Sequence, residues 1–192
     1  MKHTPMKTFP ALFISLIAFA ASTFAAGMDY KITKITPALV KTPQIQFQGE
    51  QRRTPPMQQQ WLEVEVEFQV QPDITDEVTF KYFIWVGDKV LSGEVTHVEV
   101  AKGRGLMSVV YVAPKIVQKL AGGKTVNITA VQNVGVQIFV KGQQVDELSW
   151  KPAPAQWWQS MSPVSGLVLN KSETPFSALY WDRYEALKPT TH

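Results

Sequence analysis

Ten consecutive residues, Trp61 to Val70, read WLEVEVEFQV, and their alternation leaves little choice of local structure. Leu62, Val64, Val66, Phe68 and Val70 fall on one side of an extended chain, and Glu63, Glu65, Glu67 and Gln69 on the other. A helix would scatter these apolar residues around its circumference, whereas a strand gathers them on one face. The segment is predicted to be a half-buried strand with a solvated acidic face.

The same reading carries forward. Val78 to Val86 (VTFKYFIWV) is a second strand, apolar on both faces at its far end and therefore central in its sheet. Pro72-Asp73 and Asp76-Glu77 are predicted to turn the chain between these two strands, and Gly87-Asp88 turns it again. Val90 to Val100 is more polar, and its apolar register changes between Val95 and Val98, which points to a bulge or an edge. Gly103-Arg104-Gly105 is predicted to be a tight turn into a strand over Leu106 to Val112. Pro114 to Ala121 is the one helix: Ile116, Val117 and Leu120 share a face, with Pro in the first turn and Gly122-Gly123 past the end. Val126 to Val140 returns to β structure, with Asn133 and Gly135 marking a bend or bulge. Lys141-Gly142 then turns into a strand over Gln144 to Leu148.

With an early strand at Tyr30 to Ile35, seven or eight strands surround one helix. Parallel pairing needs crossover helices, and they are missing. The predicted fold is all-β: an immunoglobulin-like antiparallel β-sandwich with one short helix and extended N- and C-terminal segments. "Immunoglobulin-like" describes the layers only, because the chain has no Cys to supply the inter-sheet disulfide.

The first residues say where the chain goes. Lys2 and Lys7, an apolar run from Ala11 to Ala21, and Thr23-Phe24-Ala25 follow the order of a secretory signal peptide cut near Ala25 or Ala26. The predicted divisions are 1–25 signal peptide, 26–59 N-terminal strand and Pro/Gln-rich arm, 60–150 sandwich body, and 151–192 aromatic, Pro-rich tail. Export places the protein in the periplasm or at the outer membrane. The lack of Cys removes a diacylglycerol anchor, thiolate metal sites and a Cys nucleophile.

Composition narrows the chemistry further. Lys2 and Lys7 leave with the signal segment, so the remaining basic residues nearly balance the 16 acidic ones and no nucleic-acid footprint is expected. His97 is the only internal histidine and is read as a surface or packing residue. No metal-ligand spacing and no cofactor motif is present. Gly122-Gly123-Lys124-Thr125 follows a helix and precedes a strand, the reverse of a phosphate loop. Catalytic, cofactor and metal residues are therefore all expected to be none.

Aromatic residues are the remaining surplus. Four of the six Trp lie after residue 149. Trp61, Trp85, Trp157, Trp158, Trp181 and Tyr184 are the interaction candidates. Three fates stay open for them: a tail strapped onto its own sandwich, a protein interface, or a sugar-stacking platform. The last would make the chain a carbohydrate-binding module. A homo-oligomer is also compatible with so many rings. A short amphipathic helix is predicted over Pro175 to Leu187, where Phe176, Leu179, Tyr180, Tyr184 and Leu187 recur near helical spacing.

The WLEVEVEFQV strand, the VTFKYFIWVGDKVL hairpin, the VVYVAPKIVQKLAGG strand-to-helix passage and the closing TPFSALYWDRYEAL segment together resemble a known group. It comprises small exported immunoglobulin-like proteins encoded beside type IV pilus-like genes in Akkermansia and related bacteria. The resemblance implies a non-enzymatic envelope protein whose partners are envelope proteins, pilus components among them. It does not make the chain a pilin, because the apolar N-terminal run ends in a cleavage site instead of continuing as a retained helix.

Overall fold

The computed structural model describes residues 29–43, 59–123, 127–180 and 182–189. The signal segment 1–25, most of the Pro/Gln-rich arm and Trp181 lie outside the described residues. The strands are β1 (Tyr30–Lys41), β2 (Gln60–Val86), β3 (Lys89–Val112), β4 (Val131–Val140), β5 (Gln143–Ser149), β6 (Val164–Ser165) and β7 (Val168–Asn170). One α-helix, α1 (Pro114–Leu120), follows β3. The all-β reading with a single short helix describes this architecture.

How the layers form was not legible in advance. The predicted turns at Pro72-Asp73 and Asp76-Glu77 do not separate two strands: β2 runs through them for 27 residues. Likewise β3 runs for 24 residues through Gly103-Arg104-Gly105. Pro72 is tolerated because the β2–β3 register shifts between Val70 and Ile74, where no ladder bond is asked of it. The paired strands bend there and fold the sheet over itself. One mixed sheet thus supplies both layers: β1, the first half of β2, the second half of β3 and β7 in one; β5, β4, the second half of β2, the first half of β3 and β6 in the other.

Side-chain parity shows why the bend works. Leu62, Val64, Val66, Phe68 and Val70 are buried, and so are Val78, Phe80, Tyr82, Ile84 and Val86. Both sets are even-numbered, so one face of one strand lines both inner walls, and Phe68 meets Phe80 at 4.8 Å between ring centroids. On β3 the parity switches: Val95 and His97 face inward before the bend, Ser108, Val110 and Val112 after it. The switch falls between His97 and Val100, where Glu99 takes a positive φ of 52° while its pairing register with β2 stays continuous, so the bulge expected between Val95 and Val98 does not form there.

α1 packs Val117 into this core, with Ile116 and Leu120 partly buried beside it. The β2–β3 turn must pass beneath the helix end, and a Cβ on Gly87 would lie 2.3 Å from the Leu120 carbonyl oxygen. Two further boundaries differ from expectation. β1 continues past Ile35 through Pro37 to Lys41, which an edge strand allows because one side of it needs no donor. The predicted helix over 175–187 is absent: the segment forms turns, then lays Leu187 against His97 in an antiparallel bridge. Its apolar residues are anchors for separate sites, not one helical face.

Candidate functional site

The outward face of β2 is where the chain's surplus of rings collects. Odd-numbered residues point away from the core, which puts Trp61, Glu63 and Glu65 on the outside of one layer and Phe83 and Trp85 on the outside of the other. The tail crosses back over both patches.

On the second layer, the 3-10 turn Trp157–Met161 delivers two tryptophans. Trp158 is 3% exposed and stacks on Phe83 at 4.3 Å and 7° between planes. Trp157 lies 5.6 Å from Trp85 and 5.4 Å from Trp158, and its indole N–H donates to Ser149 Oγ. Gly135 of β4 sits beneath, where a Cβ would come within 2.2 Å of the Trp158 ring. That close approach explains the glycine that looked like a bend marker in the sequence.

On the first layer, Phe176 is the anchor. It stacks on the buried Tyr111 at 4.5 Å and meets Trp61 edge-on at 5.8 Å. The Trp61 indole donates to Thr42 Oγ1. Glu65 then clamps the tail, accepting from Tyr184 Oη at 2.6 Å and from Arg183 at 2.9 Å. The expected solvated acidic face is therefore partly covered: only 15% of the Glu65 side chain is exposed. Burial raises the Glu63 pKa, since a carboxylate loses water there. Burial likewise raises those of Tyr111 and Tyr184, with the neighbouring glutamates pushing the same way. Five of the six aromatic candidates thus join two seams within one chain, and Trp181 lies outside the described residues. Arg183 went unnoticed in the sequence because a lone Arg in a turn-rich tail carries no periodic signal, and Phe176 was read only as part of a helical face that does not form.

Replacing Glu65 with Lys is expected to break both bonds and set a cation against Arg183. A loss of about 1–2 kcal/mol follows, with the half-exposed Arg183 keeping it from being larger. Limited proteolysis should then cut within 176–186 faster than in the parent. Unchanged cleavage would show that the clamp holds nothing.

His97 carries a second, interior arrangement. It is 1% exposed. Tyr82 Oη donates to Ser108 Oγ at 2.7 Å, Ser108 bonds His97 Nε2 at 2.6 Å, and His97 Nδ1 bonds the Glu185 carbonyl at 3.1 Å. Every polar atom is satisfied when the imidazole is neutral and protonated on Nδ1. A Ser beside a His could suggest a nucleophile and its base, yet Ser108 and Tyr82 are fully buried and residues 185–188 pair across the neighbouring edge of β3. No substrate atom has room to approach. Burial lowers the His97 pKa to about 4, from about 6.5 in an unfolded chain. The stability from the neutral form is complete above pH 6.5 and lost as the pH falls towards 4. Over that window, denaturant titrations should show the parent losing stability more steeply than a His97→Gln variant. Parallel slopes would place the acid sensitivity elsewhere.

Among the described residues no group of three His, Asp or Glu is placed to hold a metal ion, and no helix is long and apolar enough to cross a membrane. A family model matches residues 21–191, a span that includes the tail as well as the sandwich. Among solved structures, a protein from Akkermansia muciniphila is similar, with 25% identity and a TM-score of 0.75 over 85% of this chain and 94% of that one. No curated protein matches the chain.

Proposed function

Since this chain belongs to the family matched across its sandwich and tail, we propose that it is a non-enzymatic, exported interaction protein of the bacterial cell envelope, working beside a type IV pilus-like assembly. The observation that carries this reading is the unequal treatment of the sandwich's two edges. The β3 edge is covered from end to end by the chain itself: β6 pairs with Leu91 and Ser92, residues 186–188 bond to Thr96 and Val98, and β7 pairs with Val110 to Val112. β1, on the other side, has no second strand neighbour among the described residues. Among the described residues it packs beside β5, with the Ile32 amide donating to Asp146 at 2.6 Å, and Tyr30 Oη bonds Thr75 Oγ1 at 3.1 Å. An unpaired strand edge is a template for strand addition by a partner, and Lys31, Lys34, Lys41 and Pro37 along β1 are the residues that keep such an edge from pairing indiscriminately. The two-layer β architecture and the predicted signal peptide fit an exported adaptor. The sealed environment of Ser108 and His97 supports the non-enzymatic part.

A photo-cross-linking amino acid in place of the exposed Lys34, in producing cells, tests the proposal. One discrete protein adduct in the envelope fraction is expected, on a mature chain beginning near Ala26 or Gly27. A chain retaining Met1 in the cytosol, or no adduct, would overturn it. An adduct of twice the chain's own mass would make a second copy the partner.

A further inference from the structure

The outer face of the second layer is only half covered. Beyond the row where Trp158 caps Phe83, the face opens into a cavity of about 500 Å³, within the range of roughly 300–1,000 Å³ that small-molecule sites occupy. Its floor is Thr79 and Lys81 of β2, and its walls are the β2 bend and the β4–β5 turn. Phe139 stands beside Thr79 in the register and supplies one aromatic ring.

The charges here are balanced in an unusual way. Lys81 lies 3.8 Å from Glu94, and Lys188 bonds Glu77 at 2.5 Å. Among the described residues this leaves Asp76 on one wall and Lys141 on the other without an ion-pair partner. Lys141 also sits at an unfavourable backbone angle. Lys141 (φ 51°) and Gly142 (φ 76°) form the two-residue turn that closes the β4–β5 hairpin. Both positions of such a turn need positive φ, where Asn, Asp and Gly are preferred and a long side chain is not. A strained residue whose side chain lines a cavity points from strain to use.

We propose that this cavity binds a neutral, hydroxyl-rich ligand, a short oligosaccharide. A simple anion would meet Asp76, Glu77 and Glu94, and a simple cation would meet Lys81 and Lys141. Hydroxyl groups both donate and accept, so they can use the free carboxylate and the free ammonium together, in charge-assisted bonds. Phe139 already carries the Lys81 ammonium over its ring, 4.6 Å from the centroid, so the ligand's contacts are the hydroxyl bonds to Asp76 and Lys141. The tryptophans are not the platform, because Trp157 and Trp158 are already stacked on Trp85 and Phe83. This inference is independent of the strand-edge reading above.

The test is calorimetric titration of the full chain with maltotriose, cellotriose and N-acetylchitotriose, and with trigalacturonate and trialanine as charged comparators. At least one neutral trisaccharide is expected to saturate the protein. The Lys141→Asn variant is expected to raise the Tm, since Asn accepts the left-handed backbone, while weakening that trisaccharide at least tenfold. A residue kept for structure would not separate the two readouts in this direction. Failure of every neutral trisaccharide to saturate, saturation by a charged comparator alone, or undiminished binding by Lys141→Asn would overturn the proposal.

Discussion

Replacing Val66 with Asp is expected to leave no folded protein. Val66 is fully buried in the first half of β2, paired with Ile35 on one side and Ser108 on the other. Among the described residues no Lys or Arg belongs to the buried core cluster to meet a carboxylate there, and an uncompensated buried charge costs several kcal/mol. A domain of this kind holds only about 5–15 kcal/mol in total. The substitution also strikes the strand that serves both layers, so neither can form without the other. Loss of the sheet signal in far-UV circular dichroism, with the chain in the insoluble fraction, is the expected outcome. A cooperative thermal transition near the parent's would mean that the face assigned to the core points outward.

Removing one tail ring should be nearly as costly, but locally. Trp158→Ala takes away a ring stacked on Phe83 and leaves a gap above Gly135, a change that ordinarily costs about 3–5 kcal/mol. The strands beneath keep their ladders, so the loss is expected to appear as detachment of residues 150–165, not as global unfolding. Gly135→Ala provides the matched test from the opposite wall, because its Cβ would push against the same ring. Both variants should expose the remaining tryptophans, read as a red-shifted emission, and should admit protease in 150–165. If either kept the parent's emission and resisted cleavage, the tail would not be held by this seam.

These outcomes bear on how much of the molecule was written in local pattern. The alternation at 62–70 marked the core face residue by residue, and every one of those apolar residues is buried. Pro114 and Gly122 bracketed the helix because the missing N–H and the freedom at positive φ act within one turn of the chain.

What local pattern cannot carry is whether a turn signal ends a strand or only bends it. Pro72, Gly103 and Gly105 carry the usual marks of turns, yet each sits in a long strand, because the partner strand bends at the same height and the pairing resumes beyond the register shift. The fate of the tail was also beyond reach. Its rings were visible in the sequence, but Glu65 and Arg183 are 118 residues apart, and Gly135 and Trp158 become neighbours only when β4 lies beside β2. By itself the sequence determined the buried faces of the two halves of β2 and the helix after β3, since these follow from periods of two and 3.6 within short windows. Only the tertiary structure decided that one sheet folds into two layers, that the tail straps onto its own body, and that an open half-face remains beside it. Each of those depends on contacts between residues far apart in the chain, whose gain exists only once the whole sandwich has closed.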